Sequence, residues 1–252
     1  MISISIIGSG NVAQHLISAL SKAENIELKQ AFTRQKNTLT HLLDSDKIID
    51  DYSELLPVDV IIIAVADNAI SEVSRQILLK NQLIVHTSGS ISIDDLQSHR
   101  KGVFYPLQTF SKSKAVDFKT IPICLEAQNQ EDYKTIEAVA QSISDCIYKV
   151  DSQQRKALHV AAVFVSNFVN HLYLMGNEIC NENQLPFDIL KPLIQETAIK
   201  ILTLSPQDAQ TGPAQRGDTV TINTHLAFLT DTNQKEMYKL LTKSIIDHGK
   251  KL

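Results

Sequence analysis

A strand-length apolar run, Ile2-Ser3-Ile4-Ser5-Ile6-Ile7, leads into Gly8-Ser9-Gly10-Asn11-Val12-Ala13. Gln14-His15-Leu16-Ile17-Ser18-Ala19-Leu20 comes next, with apolar positions at helical spacing. Strand, glycine turn and helix in this order constrain the chain more than any other feature. They read as the opening of a dinucleotide-binding unit in its G-x-G-x-x-A form. Gly8 permits the turn, Gly10 lets a pyrophosphate approach the backbone, and Ala13 lets the helix pack close to the strand. The helix start offers free N–H groups and the positive end of its dipole to a phosphate. Gly8, Ser9, Gly10, Asn11 and Val12 are therefore expected cofactor contacts. A glycine turn in an α/β protein that binds no nucleotide is the bland alternative, and the flanking order favours binding.

The second strand, Ile26-Glu27-Leu28-Lys29-Gln30-Ala31-Phe32, bears on which nucleotide. An NAD site places Asp or Glu at this strand's end, for the ribose hydroxyls. Glu27 lies at the wrong end, and Thr33, Arg34 and Lys36 stand where the carboxylate belongs. A hydroxyl and two cations suit a 2′-phosphate, which a guanidinium can hold with two parallel bonds. NADP is thus expected over NAD. FAD and S-adenosylmethionine also call for an acidic residue there and rank lower.

The 252 residues allow one large domain or two modest ones. A net charge of −4 gives no reason to expect nucleic acid or an anionic membrane as partner. No apolar run is read as long enough to span a bilayer, and no export signal is read at the N-terminus. Cys124, Cys146 and Cys180 are widely spaced in apolar stretches, which suggests reduced thiols in a cytoplasmic protein and no metal site.

Strands and helices alternate as far as residue 150. After the second strand a helix is expected over 38–43, then a short Ile48-Ile49 segment. The β-branched run 58–65 reads as a strand buried on both faces, and 67–79 as a helix. Strands are expected at 83–86, 103–105, 121–125 and 146–150, with a helix over 131–143. The pattern changes near Asp151, beyond which no clear strand appears. Residues 153–182 read as one long helix interrupted only by Gly176, and apolar enough all round to be buried within one subunit or between two. Helices are also expected at 187–204, 221–230 and 233–248, with Gly249 as a C-cap and 205–217 as a loop. The expected architecture is α/β: a Rossmann domain, 1–150, with a doubly wound, mostly parallel sheet, followed by a smaller all-helical domain, 151–252.

Ligands of such a sheet sit beyond the C-terminal ends of its strands. Ala64, Val65 and Ala66 follow one strand, with small residues that can lie against the cofactor. Asp67 reads as a helix N-cap. Ser88, in His86-Thr87-Ser88-Gly89-Ser90, is placed to bond a nicotinamide amide or the substrate, or merely to form a turn. On the long helix, Lys156, His159, Asn167 and Asn170 fall near one face at 100° per residue. His159 and Asn167 are candidate substrate groups, and Lys156 is expected to reach solvent. In Thr211-Gly212-Pro213-Ala214-Gln215-Arg216-Gly217-Asp218-Thr219, Arg216 could clamp an anion, while Asp218 caps the next helix or fixes Arg216.

With these residues the chain resembles a bacterial family that joins a Rossmann-like domain to a C-terminal helical domain of unknown function. Its members are labelled NADP- or deazaflavin-dependent oxidoreductases. The likeness rests on Gly8 to Ala13, His86 to Ser90, Pro106 to Phe110, Ala161 to Asn167 and Gly212 to Asp218. The wider superfamily includes pyrroline-5-carboxylate reductase, 3-hydroxyisobutyrate dehydrogenase and 6-phosphogluconate dehydrogenase. The resemblance implies a homodimer through the helical domain and an active site in the interdomain cleft. The superfamily's hydroxyacid dehydrogenases carry a Lys four residues before an Asn on this helix. Val163 stands there in this chain, which disfavours that mechanism and leaves reduction of imines open. The expected function is an NADP(H)-dependent oxidoreductase acting on a small polar metabolite, with His159, Asn167, Ser88 and Arg216 as its working side chains. A non-catalytic NADP-binding redox sensor or partner-binding dimer is the alternative.

Overall fold

Strand propensity and two-faced burial build the first half of the molecule. The computed structural model describes residues 1–249 and divides the chain into two compact units, residues 1–167 and 168–252. The expected domain boundary at 150/151 falls just before the long helix begins.

In the first unit the chain runs β1 (Ile2–Ile7), α1 (Asn11–Leu20), β2 (Ile26–Phe32), β3 (Ile48–Ile49), β4 (Val60–Ile63) and α2 (Ile70–Gln76). It continues through β5 (Leu83–His86), β6 (Arg100–Pro106), β7 (Ile123–Ala127), α3 (Gln130–Gln141), β8 (Ile147–Lys149) and α4 (Ser152–Ala162). The sheet order is β3-β2-β1-β4-β5-β6-β7-β8. Every neighbouring pair is parallel except β6–β7, which is antiparallel. Val60 and Ile62 join a core layer with α1 and α3 residues, while Ile61 and Ile63 join the opposite layer with Ile70 of α2. This two-residue alternation is why an uninterrupted apolar run makes a fully covered central strand. Strand order reverses between β1 and β4, which opens the crevice where such sheets bind ligands.

Several local expectations change. Within 38–43, Thr38 ends a 3₁₀ segment, Lys36–Thr38, and residues 39–42 form turns, with no α-helix. The 67–79 helix shortens to α2, preceded by a 3₁₀ turn in which Asp67 is the first residue and caps nothing with its side chain. The 187–204 helix becomes a 3₁₀ turn, Phe187–Leu190, and α6 (Lys191–Lys200), with Pro192 in its first turn. The 205–217 loop contains the short α7 (Pro213–Arg216). The second unit also holds α8 (Thr219–Phe228) and α9 (Thr232–Gly249). The expected C-cap role of Gly249 depends on residues 250–252, which lie outside the described residues.

The long helical run, Ser152–Glu182, departs most from expectation. Its break is a π segment, Val163–Phe168, rather than Gly176, and α5 (Val169–Glu182) completes it. The run is long and apolar enough to cross a membrane by length and composition, contrary to the sequence reading, and only 6% of its apolar window is buried. Val160 and Val165 are 53% and 73% exposed, so this helix is not a core helix of the single chain.

Candidate active site

The glycine turn works as its residue types require. Gly8 has φ +135°, and a Cβ there would lie 2.2 Å from the Ala64 carbonyl oxygen. Only glycine lets the β1 exit pass so close to the β4 exit. At Gly10, the N-cap of α1, a Cβ would meet nothing within 4 Å, and no side chain caps the helix. The first-turn N–H groups therefore face open space, as a bound anion needs. Ala13 is fully buried and lies within van der Waals contact of the position of a Gly8 Cβ.

A cleft of about 870 Å³ extends from this turn. Its lining includes all of the expected segment from Gly8 to Val12, Thr33 and Arg34 beyond β2, and Ala64, Val65 and Ala66 beyond β4. Lys36 is not among the lining residues; its Nζ pairs with Asp50 at 3.0 Å. Thr33 is buried, and its hydroxyl is engaged with Ser9 Oγ and Thr38 Oγ1 at 3.1 and 3.2 Å. Arg34 is exposed and forms no ion pair among the described residues.

The cleft also holds groups that the sequence did not announce. Asp50, Asp51 and Tyr52 enter it from beyond β3, Glu72 from α2, and Thr87 from beyond β5. Tyr52 stacks on Phe32 with ring centres 4.0 Å apart. Burial raises the Tyr52 phenol, against a lowering by Arg34 and with a smaller rise from Glu72. The Ser53 backbone N–H donates to Asp51 and holds that carboxylate below its usual range. The lining thus carries Arg34 against three carboxylates, so the site is less cationic than the sequence reading of Thr33, Arg34 and Lys36 implied. The β6–β7 connection is tied to the glycine turn: Asn11 Nδ2 donates to the Phe110 carbonyl at 2.8 Å.

Beyond β5 the chain turns through Ser88. Its hydroxyl accepts from the Ser90 and Ile91 backbone N–H groups at 3.0 and 3.1 Å. Its own N–H donates to His86 Nδ1 at 3.1 Å, and its carbonyl accepts from Arg155 Nε at 3.1 Å. The turn-forming role of Ser88 is therefore present, and its hydroxyl hydrogen has no acceptor among the described residues. His86 is fully buried; burial, with a smaller contribution from the Arg155 charge, pushes its pKa down to about 3.

Arg155 is the largest fully buried side chain among the described residues, a guanidinium on α4 with no exposure. It pairs with Glu126 of β7 and donates to the carbonyls of Ser88 and Ile91 and to Ser152 Oγ. A buried cation is tolerable only when paired and hydrogen-bonded, and here each guanidinium nitrogen has a partner. One turn later on α4, His159 Nδ1 lies 3.0 Å from the Tyr105 hydroxyl. Gly89 separates these rings from the β5 exit: a Cβ there would come within 2.6 Å of His159 Nδ1 and 2.8 Å of Tyr105 Cζ. The structure thus brings His159, Tyr105 and the Ser88 turn together.

Asn167 stands exposed within the π segment. A π turn holds more residues than an α turn, so the 100° spacing that aligned Asn167 and Asn170 with His159 does not carry through it. Lys156 is exposed, as expected. In the second unit Arg216 is exposed at the end of α7. Asp218 caps α8, accepting from the backbone N–H and hydroxyl of Thr221.

The comparisons with known proteins agree with this geometry. Residues 3–89 match the family model described as NADP oxidoreductase, coenzyme F420-dependent. Residues 121–245 match a domain of unknown function, DUF2520. No curated protein matches the chain. A solved structure from Bacteroides fragilis, BF3122, carries the provisional name NADP oxidoreductase. It is 39% identical over 98% of both chains, with a TM-score of 0.89. Protein TM1727 from Thermotoga maritima is 20% identical over 98% of both chains, with a TM-score of 0.76. Pyrroline carboxylate reductase from Plasmodium falciparum, solved with NADP bound, shares the fold at 13% identity and a TM-score of 0.62, over 98% of this chain and 95% of that one. The chain belongs to the family that joins an NADP oxidoreductase Rossmann domain to a C-terminal DUF2520 domain.

Proposed function

We propose that this protein is an NADP(H)-dependent oxidoreductase acting on a small polar metabolite. The observation that carries the reading is the open glycine turn, Gly8 to Gly10, at the head of the cleft where strand order reverses. Its unfilled Cβ position and uncapped helix start fit a pyrophosphate. NADP(H), when bound, supplies or accepts the hydride. Residues 8–12 hold the pyrophosphate and Arg34 holds a 2′-phosphate. Ala64, Val65 and Ala66 leave room for the cofactor's ribose and ring. Ser88 orients a carboxamide or the substrate, and His159 donates a hydrogen bond to the substrate's reacting group. Asn167 and Arg216, both exposed, are assigned to substrate polar and anionic groups.

A second copy of the chain is the proposed partner, held through the helical unit. Leu202 and Val220 are 80% and 76% exposed, and apolar surface of this extent favours association. Polar His159, Asn167 and Asn170 along the long helix favour a protein partner over lipid, where such groups are costly. Three free thiols, two of them buried, support a cytoplasmic setting.

Asp50 and Asp51 give a specific ground for the rival cofactor, because carboxylates accept ribose hydroxyls in NAD sites. A nicotinamide-fluorescence titration with NADPH and NADH, on wild type and Arg34→Ala, separates the two. Tighter NADPH binding is expected, with a selective loss of about 10- to 100-fold in the variant, the weight of a charge-assisted pair. Preference for NADH would transfer the site to NAD through Asp50 and Asp51. Binding of neither nucleotide would refute the oxidoreductase reading.

A further inference from the structure

We propose that Tyr105 is a positioning residue that fixes the proton of neutral His159 on Nε2, leaving that nitrogen as the donor toward a substrate acceptor atom, a carbonyl oxygen or imine nitrogen. The proposal rests on the reading of His159 as a substrate group and narrows the substrate to one that presents an acceptor there.

Tyr105 lies in β6 with 8% exposure, and its hydroxyl has one partner among the described residues, His159 Nδ1 at 3.0 Å. Its pKa is pushed up to about 12, chiefly by burial, with Cys124 and Asp67 adding to the rise and Arg155 opposing it. The phenol is therefore protonated at neutral pH, and among the described residues His159 Nδ1 is the one acceptor within reach of its hydrogen, which is the direction the proposal assigns to this contact. A neutral imidazole whose Nδ1 accepts must carry its hydrogen on Nε2.

The pair is also held in place. Gly89 leaves no room between the β5 exit and the two rings, so neither ring can slide toward the turn. Arg155, one turn before His159 on α4, is anchored to Glu126 and to the Ser88 and Ile91 carbonyls, which fixes the backbone that presents the imidazole. The rings meet edge-on at 69°, with their centres 6.0 Å apart.

The decisive measurement is the ring ¹⁵N spectrum of His159 in the full-length protein at neutral pH, assigned by its loss in His159→Gln. An acceptor-type Nδ1 with a protonated Nε2 is expected, and in Tyr105→Phe the two nitrogens should shift toward exchange between tautomers. A protonated Nδ1 in the wild type, or a spectrum unchanged by Tyr105→Phe, would overturn the proposal. The wild-type spectrum alone decides if the variant does not fold. The kinetic counterpart is NADPH oxidation with a cyclic imine or ketone. Tyr105→Phe should lower kcat about tenfold, the weight of one hydrogen bond, with KM and the NADPH Kd unchanged. An equal rise in KM with kcat intact would assign Tyr105 to binding instead. Failure of NADPH to bind at all would count against the oxidoreductase reading, while the nitrogen spectrum would still decide the tautomer.

Discussion

The two units spend their apolar residues differently. All but four of the buried apolar residues in the described chain lie in residues 1–167; the exceptions are Met175, Cys180, Ala214 and Leu229. In the first unit the sheet is covered on both faces, and its central strand is fully buried. In the second, α6 and α8 bury no residue at all, while Leu193, Ile199, Leu202 and Val220 stand mostly exposed. One sequence encodes its own core. The other leaves an apolar surface exposed on the single chain, which the proposed second copy would cover, since helices gain most of their stability from packing rather than propensity.

A glycine in each unit puts this contrast under the most severe strain. Gly8→Val places a side chain on the Ala64 carbonyl and forces a β-branched residue to φ +135°. Conformational strain of about 1–2 kcal/mol and overpacking of about 1–3 kcal/mol should lower Tm by roughly 10 °C and abolish NADPH binding. Gly212, in the second unit, also has positive φ, +103°, but a Cβ there meets nothing within 4 Å. Gly212→Ala should therefore cost only the strain and leave nucleotide affinity intact. Equal losses from the two substitutions, read by thermal melts and nucleotide titration, would erase the contrast.

A more modest change probes the exposed side. Leu202→Lys combined with Val220→Asp should weaken self-association about 100-fold, the cost of charges in an apolar contact, with NADPH affinity preserved. Light scattering across a concentration series reports the outcome. An unchanged oligomer would move the interface elsewhere.

The weakest response expected is to pH, and it originates within the sheet. The folded state holds His86 near pKa 3, whereas the unfolded chain titrates near 6.5. Above pH 6.5 both states are neutral at this group and it contributes nothing to pH dependence. Below it the unfolded state takes up a proton that the folded state refuses, so stability falls as pH drops from 6.5 toward 3. Between pH 6.5 and 5 the loss is about 2 kcal/mol, as read by chemical denaturation at the two values. His86→Gln should flatten that slope; a slope unchanged in the variant would remove His86 as its source.

The sequence revealed what is local. The glycine turn and its flanks are contiguous, and the β-branched run of β4 declares burial by itself. The acidic side of the cleft was hidden, because Asp50 and Asp51 join it only once β3 pairs with β2, and Glu72 only once β4 pairs with β1. Tyr105 was half visible: it stands at a strand exit, where ligands gather, but nothing nearby in sequence announces its contact with His159. Arg155 reads as one more polar residue in the first turn of a helix, since the carbonyls it satisfies lie more than sixty positions upstream. The alignment of Asn167 failed because a π turn cannot be distinguished from an α turn by composition.

Arg155 also acts as a fixed point from which the chain is measured. With its guanidinium locked to Glu126 and the β5 exit, the four-residue step to His159 becomes a ruler of one helical turn, about 6 Å along the axis. Lys156 and Ala157, on the exposed side of that turn, are free to vary in identity but not in number. One residue gained or lost there would swing the imidazole by about 100° and leave Tyr105 facing empty space.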